Sequence, residues 1–270
     1  MPELPEVETT VRGLAQLLNG ETLARVEPRR ADLRRAIPVD LRQRMQGARV
    51  TGLHRRAKYG VIDTDRGDSL IFHLGMSGKW RIDAQPLQTH DHLILETGAG
   101  RVLALNDPRR FGSLDLARTD ALDTFPPFAA LGPEPLGPDF NAHYLKAKLA
   151  ERKSPIKALL LDQRVVAGLG NIYVCEALNI AGISPIKTGG SLTMPALDRL
   201  VPAIRDVLTA AIEAGGSTLR DYARPDGELG YFSNQWRVYG REGQACVCGK
   251  PVLRRIDGGR STFYCAKCQR

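Results

Sequence analysis

Residues 124–139, TFPPFAALGPEPLGPD, constrain the fold more than any other stretch. Pro126, Pro127, Pro133, Pro135 and Pro138 each remove a backbone donor and fix φ. Neither a long helix nor a central strand can run through them, so the segment is expected to be a linker between parts that fold on either side. With 270 residues, 43% of them hydrophobic, one or two such parts can each bury a core.

Before the linker, Val7, Val11, Leu14, Leu17 and Leu18 fall at helical spacing, and Gly20 is a natural stop. From about residue 22 to 117 the period changes. LIFHLGMSG, HLILETG, RVLALND and SLDLA are short apolar or alternating runs, parted by turn signals such as DRGD and TGAG. One helix leading an antiparallel sheet domain is predicted for residues 1–123. After the linker, helical patterns cover about 141–153, 154–163, 171–182 and 193–214, the last stopping at Gly215 and Gly216. Between two of them lies VVAGLGNIY, where Gly168 and Gly170 allow a tight turn that exposes backbone amides. Residues 140–235 are read as a helical domain ending in a loop, 217–235, and residues 236–270 as a small β-rich tail holding four of the five cysteines. The class is therefore α+β. There is no run of about 18 apolar residues, so no membrane span is expected. MPELPEVETT lacks the basic start and apolar stretch of a secretory signal, so a cytoplasmic location is expected.

Lys and Arg total 38 against 30 Asp and Glu, a net charge of +8. Residues 25–66 hold twelve basic side chains and five acids, and the last 54 residues hold ten and five. Arginine predominates, and its planar fork suits phosphate oxygens. On composition alone a solvated, salt-bridged surface explains the charge as well as a polyanionic partner does.

Four groups of residues carry chemistry. Pro2 becomes a secondary α-amine once Met1 is removed, able to attack a sugar C1′ and form an iminium. An α-amine titrates near about 8, and the positive end of the first helix further disfavours its charged form. Glu3 can move protons beside it, and Glu6, one turn on, can orient or relay. An acidic first turn is also an ordinary way to complement a helix dipole. Lys58 stands among arginines in RRAKYG, as a phosphate contact or a solvated face does, and becomes catalytic only if it reaches the same sugar as Pro2. Met76 in HLGMSG, with Arg109 and Phe111 in DPRRFG, can form a wedge that enters a duplex and fills the space of an extruded base; the alternative is that Met76 and Phe111 are core. Cys246 and Cys248, then Cys265 and Cys268 with sixteen residues between the pairs, have close to the spacing of a zinc ribbon. The tail offers Val238, Val252, Leu253, Ile256 and Phe263 and little else apolar, so a metal crosslink is expected. The one-residue spacer at Val247 requires a tighter turn than the usual two, which should weaken the metal. Cys175 is read as a buried small residue.

Taken in order, MPELPEVET, RRAKYG, HLGMSG, DPRRFG, LGPEPL, VVAGLGNIY and GGRSTFYCAKC resemble the formamidopyrimidine-DNA glycosylase family over nearly the whole chain. The resemblance implies an N-terminal helix with an antiparallel β-sandwich, a helical domain with a helix–two-turn–helix element, and a C-terminal zinc-finger β-hairpin carrying one structural Zn2+. It implies a monomer that binds damaged double-stranded DNA in a cleft between its halves, excises oxidised purines and cleaves the strand by β,δ-elimination. Pro2 matches the Schiff-base nucleophile, Glu3 a proton donor, and Lys58 and Arg260 the proton donors of the two eliminations. His73, Asn171, Lys58 and Arg260 match groups gripping phosphates, and His90 and Arg152 further DNA-binding positions. Met76, Arg109 and Phe111 match inserted residues, and the loop 217–235 one that closes over the flipped base. The family's first cysteine pair usually has two intervening residues, unlike this chain. A related reading is an endonuclease VIII-type enzyme for oxidised pyrimidines, but Leu4 and the Arg109–Arg110–Phe111 run favour the purine enzyme. A DNA-binding protein without catalysis is the reading from another class; it would have no need of a free N-terminal proline.

Overall fold

The computed structural model describes residues 2–217 and 231–270. The chain divides into two compact units, Met1–Ala129 with Ala214–Tyr231, and Ala130–Glu213 with Phe232–Arg270. Residues 218–230, most of the loop expected to close over the base, lie outside the described residues.

The first unit opens with helix α1 (Leu4–Leu18). Glu3 and Glu6 form a capping box, in which the Glu3 amide donates to Glu6 Oε2 at 2.8 Å. Val7, Val11, Leu14 and Leu18 are buried along one face, as their spacing predicts. The chain continues through β1 (Leu23–Pro28), a short helix α2 (Leu41–Met45), β2 (Val50–Arg56), β3 (Tyr59–Thr64), β4 (Asp68–His73), β5 (Lys79–Ile82), β6 (Asp91–Thr97), β7 (Val102–Asn106) and β8 (Ser113–Arg118). These strands form two antiparallel sheets of four, in the orders β1-β6-β7-β5 and β2-β3-β4-β8. Their apolar faces share one core with α1: Val26, Leu93, Leu95, Leu103 and Leu105 from one sheet, Ile62, Leu70, Phe72 and Leu114 from the other. Phe72 meets Trp80 edge-on at 5.5 Å, joining the sheets. Each such side chain contributes about 1.5–3 kcal/mol by leaving water, so this unit holds itself together by apolar burial.

Two short helices were not anticipated. In α2 only Leu41 and Met45 are buried, too few apolar positions to show a period. Helix α3 (Pro126–Ala129) is a single turn inside the Pro-rich segment. Pro126 and Pro127 occupy its first positions, where a missing N–H costs nothing.

The second unit contains α4 (Ala142–Leu149), α5 (Ile156–Leu161), α6 (Asn171–Ala181), α7 (Met194–Glu213) and a hairpin of β9 (Leu253–Asp257) and β10 (Arg260–Tyr264). Asn141 caps α4 by accepting from the Tyr144 amide at 2.9 Å. Residues 135–140 are fastened to α7 by Arg205, whose guanidinium donates to the carbonyls of Pro135, Gly137 and Phe140. Pro202 sits inside α7 on its exposed side, so the lost helical bond faces water. The hairpin's module has a very small core: Cys175, Val238, Cys246, Val252 and Cys265, with Tyr239 and Phe263 against it. Cys175 is thus packing, as expected. Leu253 and Ile256 are not, being 39% and 68% exposed. The gap is filled by polar anchors from α6. The buried Glu176 carboxylate accepts from the amides of Arg237, Val238 and Tyr239 at 2.8–3.0 Å. Gln269 accepts from the Cys265 amide and from Asn179 and donates to the Ile183 carbonyl.

Candidate functional site

Pro2 and Glu3 are buried immediately ahead of α1, not left as a loose end. Glu6 holds them there: one oxygen takes the Glu3 amide and the other the Ser217 amide at 2.8 Å. Gly216 makes this approach possible, because a Cβ at its φ of +86° would stand 3.2 Å from the Glu6 side chain. Lys58, also buried, lies in the two-residue turn between β2 and β3, where Ala57 has φ 53°. Arg55 ties this turn to α1, donating to Glu8 Oε2 at 2.8 Å and to the Ala57 carbonyl at 3.0 Å. Gly60 is required next to it, since a Cβ there would stand 2.1 Å from the Phe72 ring.

Tyr59, next to Lys58, pairs across the strands with His73, and their rings are 4.7 Å apart. The Gly75 amide donates to His73 Nδ1 at 3.0 Å, which leaves Nε2 as the donor in the neutral ring. Burial, then the cations Lys58, Arg34 and Arg35, hold the His73 pKa at about 4. Near neutral pH His73 therefore offers a hydrogen-bond donor at Nε2 without adding charge, and Lys58 supplies the charge beside it.

Met76 and Phe111 are 37% and 43% exposed, which excludes the core reading for both. Arg109 lies 4.9 Å over the Phe111 ring. Their loops dock backbone to backbone: a Cβ on Gly75 would come within 2.3 Å of Phe111 C, and one on Gly112 within 2.7 Å of the His73 carbonyl. His90 is exposed on the preceding loop, its ring 6.1 Å from that of His92.

In the second unit, Gln163 shapes the GLGN turn by accepting from the Gly168 amide and donating to the carbonyls of Leu161 and Leu169. Asn171 opens α6 and donates to the Ser261 carbonyl at 2.9 Å, beside Arg260. Lys157, 2% exposed, donates to the same carbonyl at 3.1 Å and to Thr262 Oγ1 at 2.7 Å, and burial lowers its pKa. Arg260 is paired in the hairpin through its backbone, while its exposed side chain, among the described residues, makes no hydrogen bond or ion pair. Arg152 is exposed between α4 and α5, with its carbonyl taking the Gly190 amide. Lys157, Gln163, Glu176 and Gln269 were missed in the sequence because their partners lie far along the chain or on backbone atoms.

The four tail cysteines have their Sγ atoms within 4.8 Å of one another, with Cys246–Cys268 at 3.9 Å and Cys248–Cys265 at 3.6 Å. Thiolates around a tetrahedral ion with bonds of about 2.3 Å stand about 3.8 Å apart, so this donor set fits a soft divalent metal. The one-residue spacer is absorbed by a turn in which the Gly249 amide donates to the Cys246 carbonyl at 2.8 Å and Gly249 takes φ +79°. The Lys250 amide, then the neighbouring thiols, draw the Cys248 pKa down to about 7, while Cys268, bonded first to Cys248, is pushed up to about 12. Four such thiols cannot all ionise without a cation among them.

Residues 1–114 match the formamidopyrimidine-DNA glycosylase N-terminal domain, and residues 131–223 the H2TH domain of the same family. The formamidopyrimidine-DNA glycosylase of Rhizorhabdus wittichii is 68% identical over 270 residues, all of both chains. The crystal structure of the MutM (Fpg) protein from Thermus thermophilus is similar with a TM-score of 0.90 and 42% identity, over 99% of this chain and 98% of that one. A Lactococcus lactis Fpg mutant, solved with DNA containing Fapy-dG, is similar with a TM-score of 0.92 and 34% identity over the whole of both chains. Among the described residues no helix is long and apolar enough to cross a membrane.

Proposed function

This chain belongs to the formamidopyrimidine-DNA glycosylase family, and from that premise we propose that it excises oxidised purines from duplex DNA and then cleaves the strand, as glycosylase and AP lyase in base excision repair. With Met1 removed, the Pro2 amine attacks C1′ of the damaged nucleotide. The N–C1′ bond forms as the bond from C1′ to the base breaks, and the base leaves with the electron pair and takes up a proton. Glu3 protonates O4′, the sugar ring opens, and an iminium joins Pro2 to C1′. The iminium acidifies C2′–H. Loss of that proton expels the 3′ phosphate with Lys58 as proton donor, and a second elimination expels the 5′ phosphate with Arg260 in that role.

The observation that carries this reading is the placement of Pro2. A buried proline held ahead of a capped helix puts a secondary amine at the positive end of the helix dipole, which favours the neutral nucleophile. A protein that only binds DNA has no use for that arrangement. Lys58, His73, Asn171 and Arg260 grip phosphates, His90 and Arg152 add DNA contacts, and Met76, Arg109 and Phe111 fill the space of the flipped base. One zinc ion per chain, held by Cys246, Cys248, Cys265 and Cys268, is structural, fixing the hairpin that presents Arg260. The enzyme acts as a monomer on damaged double-stranded DNA in the cytoplasm.

Duplexes carrying one defined lesion each test the substrate. Formamidopyrimidine and 8-oxoguanine strands are cleaved faster than those with a thymine glycol. Faster cleavage at the oxidised pyrimidine would transfer the chain to the endonuclease VIII reading.

A further inference from the structure

We propose that Asp107 is the positioning residue for the DNA-entering surface of the first unit: its buried carboxylate and backbone fix the loops bearing His90, Met76, Arg109 and Phe111 as one rigid piece. The inference rests on the glycosylase reading above and adds a residue to which that mechanism gives no part.

Asp107 follows the end of β7 and is 1% exposed. Its Oδ1 accepts from Ser77 Oγ at 2.7 Å, beside Met76. Its Oδ2 accepts from the Gly112 amide at 2.8 Å, beside Phe111. Its own amide donates to the His90 carbonyl at 3.0 Å, and its carbonyl accepts from the Arg110 amide at 3.1 Å and lies 3.0 Å from His92 Nε2. Ser77 Oγ in turn accepts from the Arg109 amide at 3.3 Å. One residue thus touches the loops of His90, Met76 and Phe111 directly, and that of Arg109 through Ser77.

The chemistry requires a carboxylate. Two acceptors are needed at once, one for a hydroxyl and one for an amide. Asp offers both, whereas Asn replaces one with a donor. No cation pairs with Asp107 among the described residues, so these bonds are what offset its burial. The tips it holds are exposed, and core packing does not place them. Their position is inherited from the backbone, and the backbone from Asp107. A wedge must enter a base step at a defined height, so loosening it should slow base extrusion and spare steps that need none.

The test compares Asp107→Asn, Ser77→Ala and Ser77→Thr with the wild type. It measures single-turnover excision of 8-oxoguanine, cleavage of a preformed abasic site, and fluorescence of a 2-aminopurine beside the lesion as a report of step opening. Asp107→Asn and Ser77→Ala should each slow excision and the fluorescence rise about tenfold, the scale of one lost charge-assisted bond. Abasic-site cleavage should stay within about twofold and Ser77→Thr should recover, because its hydroxyl is retained. In a Met76→Ala/Phe111→Ala background, Asp107→Asn should cost clearly less than in the wild type, since much of its effect runs through those two side chains. Equal losses on both substrates, or a full additional loss in that background, overturn the proposal. If Asp107→Asn does not fold, Ser77→Ala alone decides. A wild type inactive on both substrates would count instead against the glycosylase reading.

Discussion

Lys58 and Arg260 are both cations presented at hairpin turns, and the two units support them by opposite means. The turn of Lys58 rests on a two-sheet core with Phe72, Trp80 and α1 beneath it. The hairpin of Arg260 has its own Leu253 and Ile256 in solvent and hangs from four sulfurs and from the polar anchors Lys157, Asn171, Glu176 and Gln269. A unit rich in apolar burial can place a group by packing alone. A module of 35 residues cannot, and must use crosslinks and directed bonds.

The largest effect that should follow from this contrast is that of metal removal. A chelator under reducing conditions should release the hairpin and weaken DNA binding about a hundredfold, as expected if two charge-assisted phosphate contacts are lost. The β-sandwich should keep its thermal transition, and added zinc should restore binding. Undiminished affinity in metal-free protein would show that the hairpin is held by its polar anchors alone.

The same contrast explains what was legible in the sequence. Where burial does the work, period reveals it: α1 and strands β4, β6, β7 and β8 follow the apolar pattern, and the helical stretches after the linker coincide with α4, α5, α6 and α7. The motifs led to the four clustered cysteines and to the exposed Met76 and Phe111. Where single polar side chains do the work, period is silent. Asp107 stands within the quoted DPRRFG motif, yet nothing local shows that its carboxylate reaches Ser77, thirty residues away. Glu176 looks like any helical acid until its three backbone donors are seen. Leu253 and Ile256 misled because a β-strand in so small a module has almost no inside.

A smaller effect sharpens the first half of the comparison. His73 carries a pKa held at about 4 against an ordinary 6.5. Between those values the unfolded chain binds more protons than the folded one, so stability rises with pH. The contribution is complete above pH 6.5 and is lost as pH falls toward 4, amounting to at most about 3 kcal/mol. In urea titrations His73→Asn should flatten the dependence on pH across that window by nearly one proton. Identical slopes would mean that His73 ionises freely and that Lys58, Arg34 and Arg35 do not constrain it.

The smallest stability effect is expected at the wedge. Met76→Ala and Phe111→Ala remove exposed side chains and should shift the melting temperature by no more than about 2 °C. Affinity for undamaged DNA should hardly change, because phosphate contacts set it. Lesion excision should nonetheless fall about tenfold while abasic-site cleavage is spared, the cost of losing a filled base gap. A large drop in melting temperature would return both residues to the core.

The central claim is that the α-amine of Pro2 is the nucleophile. Borohydride reduction during turnover on an 8-oxoguanine duplex, followed by mass spectrometry of the crosslinked peptide, tests it directly. The account predicts a reduced adduct on the N-terminal peptide at Pro2, and none when a residue precedes Pro2. An adduct mapped to Lys58, or one formed at the normal rate by the extended protein, would contradict it.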